Sequence, residues 1–250
     1  MKMKNEVVLV TGANRGLGRS LVKRLLVAGA KRIYATARNP EQLADLVVEG
    51  QGRVIPLALD VTNAASIAAA AAKASDLTVL VNNAGVVASQ GILASSEQAL
   101  AQDFATNLFG SLAVTKAFLP ALERAAARGP EPSAAIVNVL SVVSLANMPA
   151  LGGYSASKAA SFSVTQALRF DLAKTKIAVH AVLPGPIDTE MTRGMDMPKT
   201  SPESVANAIV LGVEQGTEDI APDPMAVDLL GQWKKDPKAV ERVFATMSGG

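Results

Sequence analysis

The sequence predicts an α/β fold built around a parallel sheet. Three observations carry this. Strand and helix patterns alternate from the first residues onward. The first strand, Val7 to Val10, reads as a continuous apolar run, as a strand buried on both faces does. A glycine-rich turn joins the first strand to the first helix, where backbone N–H groups and close approach favour a bound phosphate.

The first strand is Val7-Val8-Leu9-Val10. Thr11-Gly12-Ala13-Asn14-Arg15-Gly16-Leu17-Gly18 follows, and then a helical pattern with Leu21, Leu25 and Leu26 on one face, ending at Gly29. The glycines are spaced Gly-x-x-x-Gly-x-Gly, and this turn is expected to bind a nucleotide. The second strand is Arg32 to Ala37. At its end an acidic residue would grip the ribose hydroxyls of an unphosphorylated dinucleotide. Ala37 and Arg38 stand there instead, with Arg15 in the glycine turn as a second positive charge. A guanidinium suits a 2′-phosphate that a carboxylate would repel, so the phosphorylated cofactor is expected.

The third strand, Arg53 to Leu59, leads into Asp60-Val61. Two readings stand for Asp60: an adenine contact, with the Val61 backbone against the ring, or a capping residue. Thr62 or Asn63 can cap the alanine-rich helix from Ala64 to Ala74. Leu77 to Val81 is the fourth strand, followed by Asn82-Asn83-Ala84-Gly85, small enough to admit a ribose. Ala99 to Arg128 is helical, with breaks expected at Gly110 and Pro120. Asn107 lies inside it among apolar residues and needs hydrogen-bond partners: it caps a bend or positions a water.

Gly129-Pro130-Glu131-Pro132 marks a turn. The fifth strand, Ala135 to Leu140, ends at Ser141, and ligands bind beyond such carboxyl ends in parallel sheets. The sixth strand, Ile177 to Leu183, carries His180, read as a packed strand residue. Pro184 to Thr189 forms a rigid turn at its end. Met191, Met195 and Met197 with Gly194 suit either a mobile apolar lid or core packing. A helix follows from Pro202 to about Gln215, then a short strand at Asp219 to Ala221 and a mixed tail holding Trp233.

The chain as a whole points to one domain spanning residues 1–250. Hydrophobic residues at 49% against 18% charged exclude a disordered chain. A net charge of +2 with scattered basic residues gives no nucleic-acid or membrane surface. Cysteine is absent, so disulfide and thiol chemistry are excluded. The apolar run after Met1-Lys2-Met3-Lys4 is cut short at Thr11, too early for a signal peptide. A soluble cytoplasmic protein is expected, and no metal site is assigned.

Two readings stand for the helix opening at Tyr154-Ser155-Ala156-Ser157-Lys158: an acid/base centre, or a surface lysine near a packed tyrosine. Tyr154 and Lys158 are four apart and share one helix face. A phenol titrates near ~10, and an ammonium beside it favours the phenolate. The pair is a candidate general acid and base.

Taken together, Thr11-Gly12-x-x-x-Gly16-x-Gly18, Asn82-Asn83-Ala84-Gly85, Asn107, Ser141, Tyr154-x-x-x-Lys158 and Pro184-Gly185 resemble the motifs of the short-chain dehydrogenase/reductase family, in order and spacing. The resemblance implies a single Rossmann-type, doubly wound parallel sheet of about seven strands with helices on both faces. It implies that Gly12, Asn14, Arg15, Gly16, Leu17, Gly18, Arg38, Asp60, Val61, Asn83, Ala84, Gly85, Pro184, Gly185, Ile187 and Thr189 hold NADP(H), with Tyr154 and Lys158. It implies that Tyr154 exchanges the proton and Lys158 lowers the phenol's pKa and holds the nicotinamide ribose. Ser141 would bind the substrate oxygen, and Asn107 would hold a relay water. Aliphatic residues Val142, Val143, Leu151 and Met191 would line the substrate side with Ser141 and Tyr154.

The implied activity is NADPH-dependent reduction of ketones or aldehydes, reversible as secondary-alcohol oxidation, in a homo-oligomer, dimer or tetramer. The alternatives are a 3-oxoacyl-thioester reductase and a nucleotide-sensing protein without turnover. Two features depart from the family pattern. The C-terminal segment after Asp223-Pro224 replaces a glycine-rich end, and the segment from Thr189 to Ser201 is short for a substrate lid.

Overall fold

A computed structural model describes residues 1–128 and 133–247. The expected turn at residues 129–132 lies outside the described residues. Seven parallel strands form one sheet in the order β3-β2-β1-β4-β5-β6-β7. They are β1 (Val7–Val10), β2 (Arg32–Ala37), β3 (Val54–Ala58), β4 (Val79–Asn82), β5 (Ala134–Val139), β6 (Ile177–Val182) and β7 (Asp219–Ile220). The helices between them are α1 (Gly16–Val27), α2 (Ala44–Glu49), α3 (Ala64–Lys73), α4 (Glu97–Phe104), α5 (Ser111–Ala126), α6 (Gly152–Asp171) and α7 (Pro202–Gln215).

Alternate strand residues feed two cores, because side chains on a strand point to opposite faces. Val8, Val10, Ile33, Val79 and Val137 pack under Leu21 and Leu25 of α1 and Val205, Ile209 and Val213 of α7. Leu9, Tyr34, Leu80 and Ile136 pack on the other face against Ile67 of α3, Val114 and Phe118 of α5, and Leu168 of α6. Both faces are covered, which is why the strands are mostly apolar and β1 is entirely so.

Three elements differ from the sequence reading. Pro120 sits inside α5 without ending it, because it is exposed and water can take the carbonyl it leaves unpaired. The break before α5 is a π-helical turn over Ala105–Gly110, centred on Asn107. The tail forms two further helices, α8 (Pro224–Lys235) and α9 (Pro237–Met247). Asp223 caps α8 by accepting from Ala226 N at 2.9 Å, with Pro224 at the first helical position. Val240 and Phe244, one turn apart, are the buried face of α9.

Asn63, rather than Thr62, caps α3. His180 is packed in β6 with Nδ1 2.7 Å from the Thr217 carbonyl, and burial pushes its pKa below the usual value. Among the described residues, no helix is long and apolar enough to cross a membrane.

Candidate active site

All seven strands point their carboxyl ends to one edge of the sheet. The chain builds outward in one direction from β1 and in the other from β4, so the connections after these neighbours leave on opposite sides. The crevice at such a switch point is where ligands enter this architecture.

The glycine turn after β1 lies on that crevice. Gly12 and Gly16 have φ of +66° and +50°, where a side chain would be strained. A Cβ on Gly18 would collide with the Gly12 carbonyl, so the turn closes this tightly only without one. Helix α1 starts with no side-chain cap and no acidic residue in its first turn, leaving its N–H groups for an anion. Asn83 fastens the turn to the end of β4: its Nδ2 donates to Thr11 O at 2.9 Å and Gly12 O at 3.2 Å. Thr11 Oγ1 in turn accepts from Asn83 N and Ala84 N, both at 2.9 Å. Across the crevice stands the loop after β6, where a Cβ on Gly16 would come 3.1 Å from Thr189 Cγ2.

The charges at the crevice rim are arranged unequally. Arg15 pairs with Glu190 and is thereby partly neutralised. Arg38 is exposed and forms no ion pair among the described residues. Asp60 accepts from Thr62 N at 2.9 Å and Thr62 Oγ1 at 2.7 Å, forming a local turn. Those hydrogen bonds, more than the nearby Arg38 charge, hold its carboxyl below the usual range. Asn14 Nδ2 donates to Gln42 Oε1 at 3.0 Å, and Leu17 and Val61 are buried.

Tyr154 and Lys158 lie in the first two turns of α6, both buried. Lys158 Nζ donates to Val139 O at 2.9 Å and stands 5.7 Å from the centre of the Tyr154 ring. Ser141 Oγ, at the end of β5, accepts from Val143 N at 3.3 Å and donates to Pro184 O at 3.4 Å. Val142 N also donates to Pro184 O, at 2.9 Å, which sews the loop after β5 to the loop after β6. Asn107 Nδ2 donates to Ser157 Oγ at 2.9 Å and Val86 O at 3.0 Å, while its Oδ1 accepts from Val86 N at 2.9 Å. A Cβ on Gly85 would lie 3.2 Å from Asn107 Oδ1 and 3.6 Å from Lys158 Nζ, so Gly85 keeps this corner open.

The electrostatics depart from the expected lowering of the phenol by the ammonium. Burial pushes Tyr154 up to about 12, opposed by the Ser141 hydroxyl and reinforced by the Asp103 charge. Burial pushes Lys158 down to about 8, with the same Asp103 charge working against the fall. Desolvation outweighs the mutual effect of the two groups here, with Lys158 turned to a carbonyl oxygen. Lys158 is still mostly charged at neutral pH.

Behind Lys158 lies a cavity of about 10 Å³, lined by Asn82, Asn107, Ser111, Thr115, Asn138 and Ser161 among others. This is about the room one water needs. Asn82 Nδ2 is spent on Thr115 Oγ1 and Asn138 Oδ1, both at 2.9 Å. Its buried Oδ1 has no hydrogen-bond partner among the described residues, as suits an atom that water satisfies.

On the other side of Tyr154 the wall is apolar. Val142, Val143 and Tyr154 cluster with Ala226 and Leu229 of α8 and Val240 and Phe244 of α9, with Leu151 partly buried beside them. Met191 is exposed and stands outside this cluster. The α8 and α9 residues were not expected at the site. The signal for them was the amphipathic spacing of the tail, which does not say what it packs on. Asp223 was also missed: its carboxylate accepts from Gly185 N at 2.8 Å as well as from Ala226 N, tying the loop after β6 to α8.

A family model described as short chain dehydrogenase matches residues 6–199. A short chain dehydrogenase from Burkholderia cenocepacia, solved in complex with NADP, is 36% identical with a TM-score of 0.89, covering 98% of this chain and 99% of that one. A short-chain dehydrogenase from Streptomyces avermitilis is 28% identical with a TM-score of 0.84, covering 98% and 97%. The 3-oxoacyl-(acyl-carrier-protein) reductase of Thermotoga maritima is 31% identical over 228 residues, 88% of this chain and 89% of the relative.

Proposed function

The chain belongs to the short-chain dehydrogenase family, and on that premise we propose that it reduces ketones or aldehydes to alcohols with NADPH and runs the reverse oxidation of secondary alcohols. One juxtaposition supports this most. A buried tyrosine and a buried lysine stand one helical turn apart, with a serine beside the phenol, at the sheet edge where the glycine turn opens.

The residues present fit a phosphorylated dinucleotide. The uncapped start of α1 and the glycines that a Cβ would obstruct form a cradle for a pyrophosphate. Arg38, just past β2 and without an ion pair among the described residues, suits the 2′-phosphate. Pro184 to Thr189 faces the turn and would hold the nicotinamide end, with Asp223 fixing Gly185. The relative from B. cenocepacia is in complex with NADP. When bound, the nicotinamide supplies a hydride to a carbonyl carbon or accepts one from an alcohol carbon.

The chain's own groups handle the proton and the alignment. The Tyr154 hydroxyl donates a proton to the carbonyl oxygen in reduction and takes it back in oxidation. Ser141 Oγ donates a hydrogen bond to the same oxygen and orients it. Lys158, held by Val139 O, places a positive charge beside the phenolate as it forms, where it is worth most. Asn107 and Asn82 line a space for the water that returns the proton. The apolar wall of Val142, Val143, Leu151 and Phe244 excludes bulk water and suits an apolar substrate.

Loss of NADPH absorbance with a panel of ketones and aldehydes, in parallel with NADH, tests this. Turnover preferring NADPH is expected. No turnover with any carbonyl, while NADPH binds, would favour a nucleotide sensor. The names of relatives such as the T. maritima enzyme favour a second substrate, a 3-oxoacyl thioester. A thioester outpacing every simple ketone in the same assay would select it. A homo-oligomer in the cytoplasm is part of the proposal. Exposed Phe109, in the turn before α5, and exposed Phe170 of α6 support the first, and light scattering tests it.

A further inference from the structure

Helix α6 carries Tyr154 and Lys158, yet its N-terminus has no side-chain cap of its own. The cap comes from another part of the chain. Ser89 Oγ, in the loop after β4, accepts from Tyr154 N at 3.0 Å. The same hydroxyl donates to Asp103 of α4, whose carboxylate also accepts from Ala88 N at 2.8 Å and Ser89 N at 3.2 Å. Asp103 is fully buried and forms no salt bridge among the described residues. A buried carboxylate is costly unless its oxygens are satisfied. Here three donors satisfy it, and two of them are the backbone of the segment that carries the cap.

The fit is close. A Cβ on Gly153 would fall 2.5 Å from Ser89 Oγ, so the glycine before the tyrosine lets the hydroxyl in. Gly152 N donates to Gln90 O at 2.9 Å, which clamps the same turn from the same loop. A negative charge at this end of a helix is also the favourable sign for its dipole. Asp103 also acts through space on both Tyr154 and Lys158.

We propose that Asp103 and Ser89 are positioning residues: together they cap α6 from outside the helix and set where the phenol and the ammonium stand. This rests on the reductase reading of the site. It adds that the acid/base pair is held through its backbone by a buried carboxylate on a separate helix, α4. Charge and hydrogen bonding do separate parts of the work. Ser89 holds the Tyr154 amide; Asp103 orients Ser89 and biases both titrating groups toward their protonated forms.

Two variants of the full chain separate these parts. Ser89→Ala leaves the carboxylate and its two backbone donors in place but removes the acceptor at Tyr154 N. Amide exchange at Tyr154 is expected to accelerate about tenfold or more, while the rest of α6 keeps its protection. Its kcat for ketone reduction should fall about tenfold, with KM and the NADPH Kd within about twofold. Asp103→Asn keeps the shape and removes the charge. The pH profile of kcat should move to lower pH by about half a unit, because both groups then lose a proton more readily. Unchanged exchange at Tyr154 in Ser89→Ala, faster exchange with kcat unaltered, or an Asp103→Asn profile superimposed on wild type would each overturn the proposal. Should Asp103→Asn fail to fold, Ser89→Ala decides alone. If the wild-type chain reduced no carbonyl compound, the reductase reading would fall, and exchange, which needs no turnover, would still decide whether the cap exists.

Discussion

Arg15 and Glu190 meet as an ion pair between the glycine turn and the loop after β6. Both are exposed, so the pair contributes little to stability, about 0–1 kcal/mol. Its effect is on the charge offered to a ligand. Glu190→Gln should release Arg15 and tighten NADPH about two- to fivefold, with little change for NADH and with the gain lost at high salt. Titration calorimetry at two ionic strengths measures this; an equal gain for both cofactors would count against a phosphate contact.

Arg38 has no such partner among the described residues. Arg38→Asp should weaken NADPH by about tenfold or more, the size of one charge-assisted hydrogen bond, and leave NADH nearly unchanged. Cofactor affinities from fluorescence quenching decide it. Parallel losses for the two cofactors would remove Arg38 from the phosphate site.

Tyr154→Phe deletes the hydroxyl and keeps the ring in the apolar cluster. Turnover should fall by about 10²- to 10⁴-fold, with NADPH binding within about twofold. Single-turnover assays at matched cofactor occupancy check the split; a variant with normal kcat would exclude Tyr154 as the proton donor.

Lys158 bears on stability as well as on chemistry. Burial depresses its pKa from 10.5 to about 8. Between these values the unfolded chain binds more protons than the folded one, so stability rises with pH across that window. Below pH 8 the cost of burying the ammonium is fully present. Lys158→Met should therefore be inactive yet more stable than wild type at pH 7, by on the order of 1–3 kcal/mol. The difference should shrink as pH rises from 8 toward 10. Urea denaturation across this range tests the sign; a gap that widened with pH would contradict the burial effect.

Phe244 is the fully buried anchor of α9 on the cluster that includes Tyr154. Phe244→Ala should destabilise by about 3–5 kcal/mol. It should also change KM for large apolar ketones more than for small ones. Thermal melts and a graded ketone series report the two effects, and equal KM changes across the series would show that α9 does not form the substrate wall.

Much of this was legible in the residues. Val7 to Val10 reads as a strand because burial on both faces leaves it no polar position, and Arg32 to Ala37 stays legible because Arg32 stands at its start and Thr36 is its one polar residue besides Tyr34. The glycine turn was legible because φ above zero and tight closure demand glycine at Gly12, Gly16 and Gly18. What failed to show depends on distant packing. Asp103 in α4 reads from sequence as one more solvated acid, and only the fold buries it beneath Ser89. The effect of burial on Tyr154 was not legible, because spacing reveals the neighbouring ammonium but not the loss of water. Val240 and Phe244 announce an apolar helix face, yet nothing local tells that face to settle beside Tyr154.

The sheet order has a consequence for how the chain is made. Residues up to Asn82 supply four adjacent strands; β5 is then added beside β4, β6 beside β5 and β7 beside β6. Until β5 emerges, Val79-Leu80-Val81 is an open edge with unpaired backbone on a half-finished sheet. Some fifty residues separate the two strands, so at ribosomal rates this edge stays open for about 3–10 seconds. Pauses in translation between codons 83 and 133 should therefore be where nascent chains adhere to one another, and a chaperone that shields strand edges should raise the yield most at that stage.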